Sequence, residues 1–108
     1  TGDLIAFSSS DETLKENLVA IPNALTKVGL MTGYTYDWKA AKYNDTDHLT
    51  VVGESDTGVI AQQVAALGLP GITTTREDGT MAVRYERLVP LLIEAIKELE
   101  ARVKTLEG

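Results

Sequence analysis

Val89-Pro-Leu-Leu-Ile-Glu-Ala-Ile-Lys-Glu-Leu-Glu-Ala-Arg-Val-Lys-Thr-Leu106 is the stretch that decides how the rest of the chain is read. Its residues Val89, Leu92, Ile96, Leu99, Val103 and Leu106 recur at alternating spacings of three and four. That is the period of a helix with one continuous apolar stripe. In heptad terms Val89, Ile96 and Val103 take the a positions and Leu92, Leu99 and Leu106 the d positions, while Arg102 at g can meet Glu107 at e on a neighbouring helix. Glu98 with Arg102 and Glu100 with Lys104 set acid before base four residues apart, each pair worth about 0.2–0.5 kcal/mol on a helix surface. The stripe covers fewer than three heptads. Two readings follow: a coiled coil joining several copies, or an amphipathic helix packing on its own domain. β-Branched residues at a with leucine at d nominally favour two strands, and the sequence leaves the copy number open.

Working upstream, Ile72 to Thr75 and Met81 to Tyr85 are β-branched or alternating runs on either side of Arg76-Glu-Asp-Gly79. The Asp-Gly pair suits the positive φ of a tight turn, so this is a hairpin. Val59 to Leu67 is helical in pattern, with Ile60, Val64 and Leu67 on one face and Gly68 and Pro70 as the stop. Gly53-Glu-Ser-Asp-Thr-Gly58 reads as a loop by composition, and Leu49 to Val52 as a short strand before it. Residues 40–47 are polar and turn-rich. Tyr34, Tyr36 and Trp38 alternate with polar residues, which places three rings on one side of a strand, as core. Ile21-Pro22-Asn23 opens a short helix carrying Leu25 and Val28 toward Gly33. Before it, Ser9 and Glu12 have the spacing of a capping box for one polar turn, and Leu4 to Phe7 reads as a strand. The expected fold is thus α+β: a small mixed domain of short strands, a hairpin and short helices, with a long C-terminal helix over about residues 86–108.

Composition removes several classes of function. A chain of 108 residues is one domain by size, able to bury a modest core. With no cysteine and a single histidine, disulfide frameworks, thiolate nucleophiles and the usual zinc sites are excluded, leaving hydroxyls, carboxylates and lysines for any chemistry. No metal and no cofactor is expected. A net charge of −6 disfavours nucleic acid as a partner. No apolar run approaches the roughly 20 residues of a membrane span. The start at Thr1-Gly-Asp-Leu-Ile has neither the basic opening nor the apolar stretch of a signal peptide and reads as the middle of a longer protein.

Three segments taken together carry a resemblance: Ser10-Asp-Glu-Thr-Leu-Lys-Glu-Asn17, Gly58-Val-Ile-Ala-Gln-Gln-Val64 and Val83-Arg-Tyr-Glu-Arg-Leu-Val-Pro-Leu-Leu-Ile-Glu-Ala-Ile-Lys-Glu-Leu99. In that order and followed by a coiled-coil seam, they resemble the S74 peptidase, or intramolecular chaperone, family found at the C-termini of phage endosialidases, tail spikes and tail fibres. The resemblance runs from about Asp3 to the C-terminus. It implies a homotrimer, with Val89, Leu92, Ile96, Leu99, Val103 and Leu106 at the interface, that guides folding of the fibre upstream in the same chain and then cuts itself free between Ser9 and Ser10. Thr1 to Ser9 would be the end of the fibre and residues 10–108 the chaperone. The setting it implies is the host cytoplasm during virion assembly, the domain leaving the fibre after cleavage. One departure is Gln63, where many relatives carry a glutamate.

The chemistry implied is that of a Ser10/Lys15 dyad. A serine hydroxyl is a poor nucleophile near neutral pH and needs an adjacent base, a task a lysine performs once burial favours its neutral form. One helical turn between Ser10 and Lys15 permits contact without demanding it. From spacing alone Ser10 reads as a turn cap and Lys15 as a surface residue; the resemblance is what assigns them to catalysis. Asp11 and Asn17 take supporting roles, fixing the turn through side-chain to backbone bonds. His48, the lone imidazole, reads first as an exposed loop residue and second as a proton-transfer group. Gln62 either reaches the cleavage site or satisfies buried backbone groups. A different class of function, a structural trimerisation cap that never cuts itself, uses the same stripe and leaves Ser10 and Lys15 without chemistry.

Overall fold

The structure, a computed structural model, describes residues 9–39 and 52–108. The strand expected at Leu4 to Phe7, the polar stretch 40–47, His48 and all but the last residue of the strand expected over Leu49 to Val52 lie outside the described residues, and Val52 itself is an exposed turn residue. In chain order the elements are a 3₁₀ turn at Glu12–Leu14, helix α1 at Ala24–Gly29, strands β1 at Tyr34–Asp37 and β2 at Ser55–Gly58, helix α2 at Ala61–Ala65, strands β3 at Thr73–Thr75 and β4 at Met81–Val83, a second 3₁₀ turn at Tyr85–Leu88, and helix α3 at Val89–Glu107. The α+β expectation describes this architecture: among the described residues, two small antiparallel sheets, short helices and one long helix toward the C-terminus.

The β3–β4 hairpin forms where its turn chemistry puts it. Gly79 adopts φ +88°, and the Asp78 carboxylate accepts from both the backbone N–H and the hydroxyl of Thr80. Thr73 pairs with Val83 and Thr75 with Met81. Helix α3 begins at Val89 rather than near residue 86, with Pro90 in its first turn. A proline ring in a continuous α-helix clashes with the carbonyl four residues back, here that of Glu86, so the approach is made in 3₁₀ geometry instead.

The hydrophobic core is Ala24, Val64, Leu67, Ile72, Val83, Leu88, Leu91 and Ala95, with Ile21, Leu25 and Val28 packed against it. It is drawn from α1, α2, the hairpin and one side of α3. That side of α3 is not the heptad stripe. Leu91 is fully buried, whereas the six stripe residues are 44–88% exposed. Leu88, Leu91 and Ala95 occupy the g and c positions, so the chain packs its terminal helix by its flank and leaves the a/d seam facing outward.

Four local expectations are corrected. Gly53 to Gly58 is not all loop: Ser55–Gly58 pairs with β1, Tyr34 opposite Gly58 and Asp37 opposite Ser55. These polar residues are held as a strand by their partner, with the Ser55 hydroxyl donating to Asp37 and the Trp38 indole N–H donating to Asp56. The three rings are not core: among the described residues the β1–β2 ribbon pairs two strands, Tyr34 is exposed, and Tyr36 and Trp38 are half-buried and meet edge to face at 5.3 Å. Ile60 is exposed because it is the extended residue capping α2, outside the helical face that buries Val64. The first 3₁₀ turn is capped by Asp11, not by a Ser9/Glu12 box, because Asp11 is the extended residue at its start and Glu12 is already its first helical position.

Candidate active site

Ser10 and Lys15 lie together on an arm that precedes α1. The arm's shape follows from Asp11, whose carboxylate accepts from the backbone N–H of Thr13 at 2.8 Å and from its hydroxyl at 2.6 Å. Those bonds, side chain first and backbone second, hold the Asp11 carboxyl below its ordinary pKa. Backbone bonds from Leu14 to Asp11 and from Lys15 to Glu12 close the turn. The turn reverses the chain enough for the Lys15 ammonium to donate to the Ser10 hydroxyl oxygen at 2.8 Å. Both side chains are exposed, as are Ser9 and the apolar Leu14, Leu18 and Val19 that flank them.

The other residues singled out in the sequence are placed as follows. Asn17 sits at φ +55°, a left-handed conformation that asparagine tolerates better than most residues, and so bends the arm just after Lys15. Gln62 is exposed on α2. Gln63 is a clip: its carbonyl oxygen accepts from the backbone N–H of Thr32 at 3.1 Å, and its amide donates to the Tyr34 hydroxyl at 3.3 Å. The amide bond to Tyr34 holds that phenol below its ordinary pKa. Gln63 thus ties α2 to the entry of β1.

Two arrangements had no signal in the sequence. The Tyr85 hydroxyl accepts from the backbone N–H of Val59 at 3.1 Å, beside Gly58. The Glu98 carboxylate accepts from the backbone N–H groups of Ala24 at 2.7 Å and Leu25 at 3.1 Å. Those two bonds, helped by the nearby charges of Arg102 and Lys27, keep Glu98 below its ordinary pKa. The sequence pairs Glu98 with Arg102; the fold spends its oxygens on α1 instead.

The described residues thus form an α+β domain with an exposed Ser10–Lys15 contact and an outward-facing apolar seam on α3. The peptidase S74 family, described as the chaperone of endosialidase, matches residues 10–72, and the chain belongs to that family. The long tail fibre proteins Gp37 of Enterobacteria phages K3 and T2 are each 36% identical to it over an alignment covering 99% of the chain. The chain spans only 9% and 8% of the length of those relatives.

Proposed function

We propose that this domain is a homotrimeric intramolecular chaperone that guides folding of a fibre upstream and releases itself by one cut between Ser9 and Ser10. The observation that carries the reading is the 2.8 Å contact of Lys15 with Ser10 in a chain whose family match begins at Ser10 itself. Lys15, as the free amine, takes the Ser10 hydroxyl proton. Ser10 Oγ attacks the carbonyl carbon of Ser9, and the C–N bond breaks as Lys15 returns the proton to the departing amine. The product is an ester joining Ser9 to Ser10 Oγ, with the Ser10 amine free. Water hydrolyses that ester, leaving a carboxylate on Ser9 and restoring the Ser10 hydroxyl.

Exposure of the pair in the single chain supports coupling to assembly, because a lysine becomes a base when water is excluded from it. Covering of Leu14, Leu18 and Val19 by the assembled fibre would exclude it here. The outward seam of α3 supplies the means of assembly. A helical clamp rich in local contacts forms early and raises the effective concentration of the chains for the slow, non-local pairing of a β-rich shaft. Mass spectrometry of the expressed chain tests the reading: the wild type loses Thr1 to Ser9, and Ser10→Ala and Lys15→Ala stay intact. Equal intact masses for wild type and Ser10→Ala would leave a trimerisation cap that never cuts.

A further inference from the structure

The arm that carries the dyad has few attachments to the domain. Every residue from Ser9 to Ala20 is exposed, Ile21 is the first to pack on the core, and Ala24 is the first to be fully buried. The arm bends at two left-handed asparagines, Asn17 and Asn23, before it joins α1. The arm thus meets the core only at its root, next to the N-terminus of α1.

That terminus has no cap of its own. Asn23 sits at φ +53°, and its side chain makes no capping bond. A six-residue helix is too short to persist on its own propensity and depends on tertiary partners. The partner is Glu98, whose two carboxylate oxygens take the first two N–H groups of the helix from across the fold. Ala24 is buried under the same junction, where Lys27 also donates to the Pro22 carbonyl at 2.6 Å. Glu98 is adjacent in sequence to Leu99, a d residue of the seam. The turns of α3 that offer the seam to other copies thus also hold the root of the arm.

From this junction we propose that Glu98 is a positioning residue for the Ser10–Lys15 pair. By capping α1 it fixes the root of the arm to α3, so that the pair is tethered within a limited reach of the seam and is presented to whatever covers it there. The inference rests on the reading that the pair cuts the chain. Its own content is the mechanical link, which depends on two hydrogen bonds remote from the reacting atoms.

The test uses the whole chain with Glu98→Ala and Glu98→Gln. In Glu98→Ala, amide exchange at Ala24 and Leu25 accelerates, α3 assembly measured by light scattering is retained, and cleavage slows on the order of tenfold to a hundredfold, the scale set by a misplaced reactive group. Glu98→Gln keeps one carbonyl acceptor and recovers part of the rate. Spin labels at Glu12→Cys and Glu100→Cys, in chains diluted with unlabelled protein, report a distance distribution that is broader in Glu98→Ala than in wild type. Cleavage at the wild-type rate in Glu98→Ala despite fast exchange at Ala24 would overturn the positioning role and leave self-cleavage standing. If wild type and Ser10→Ala have the same intact mass, the cleavage reading falls instead. The label distances then decide the link, an unchanged distribution in Glu98→Ala removing it.

Discussion

The hydroxyl of Tyr85 accepts the backbone N–H of Val59 at 3.1 Å and stands in the space that a side chain on Gly58 would enter. A Cβ at Gly58 would collide with that hydroxyl and come within 3.2 Å of the Tyr36 hydroxyl. The glycine that opens the Gly58-Val-Ile-Ala-Gln motif is there so that the second 3₁₀ turn can pin the start of α2 to the end of β2.

Gly58→Ala should therefore destabilise the domain by about 1–3 kcal/mol, the usual cost of forcing atoms into filled space. Tyr85→Phe should cost about 1 kcal/mol for the lost bond to Val59. The double variant should be more stable than the sum of the two predicts, because removing the hydroxyl makes room for the methyl. Urea denaturation of the four proteins measures the coupling, and strict additivity would show that the contact does not explain the glycine.

Gln63 offers a second test of position against chemistry. With glutamine, the amide donates to the Tyr34 oxygen and favours the phenolate. Glutamate can only accept, so the Tyr34 hydroxyl must donate to a carboxylate. Gln63→Glu should raise the Tyr34 pKa from below its ordinary value to above it, followed by NMR titration. Cleavage should be unchanged, since both forms keep an acceptor for the Thr32 N–H.

How much of this the sequence shows depends on how local each interaction is. Helix α3 and the β3–β4 hairpin are legible because their signals, a repeating stripe and an Asp-Gly turn, lie within the elements themselves. The approach of Lys15 to Ser10 is legible as a spacing, but its geometry depends on Asp11 capping the turn two residues later than a Ser9 box would. Strand β2 is hidden in a run that reads as loop, because Ser55-Asp-Thr-Gly58 becomes a strand only beside Tyr34–Asp37. The cap on α1 has no local signature at all: Glu98 is 74 residues from Ala24 and looks, in sequence, like one more charge on a helix surface.

Acid should expose that cap. Because the folded pKa of Glu98 lies below its ordinary value, its contribution to stability is fully present above that ordinary carboxylate pKa and is lost as pH falls through the folded one. The charged groups facing it are Arg102 on its own helix and Lys27 on α1. The melting temperature of wild type should fall more steeply with acidification than that of Glu98→Gln, and parallel curves would show that Glu98 does not contribute to the slope.

The flank and the seam of α3 should separate under substitution. Leu91 is fully buried in the chain's own core, so Leu91→Ala should cost about 2–5 kcal/mol without regard to assembly. Leu99 is half exposed. Leu99→Asp should leave the circular dichroism of the fold intact while light scattering reports a monomer and a denaturing gel shows uncut precursor. Normal cleavage by a monomeric Leu99→Asp would mean that the dyad needs no neighbour.

The role of Lys15 can be separated from its hydrogen bond by Lys15→Arg. A guanidinium can donate to the Ser10 oxygen as the ammonium does at 2.8 Å, so the arm should keep its turn and the domain its melting temperature. What arginine cannot do is give up its proton and serve as a base. If Lys15 only orients Ser10, Lys15→Arg should cut at close to the wild-type rate. If Lys15 is the base, the rate of appearance of the chain beginning at Ser10 should fall by about 10²–10⁴, the range of a lost general base.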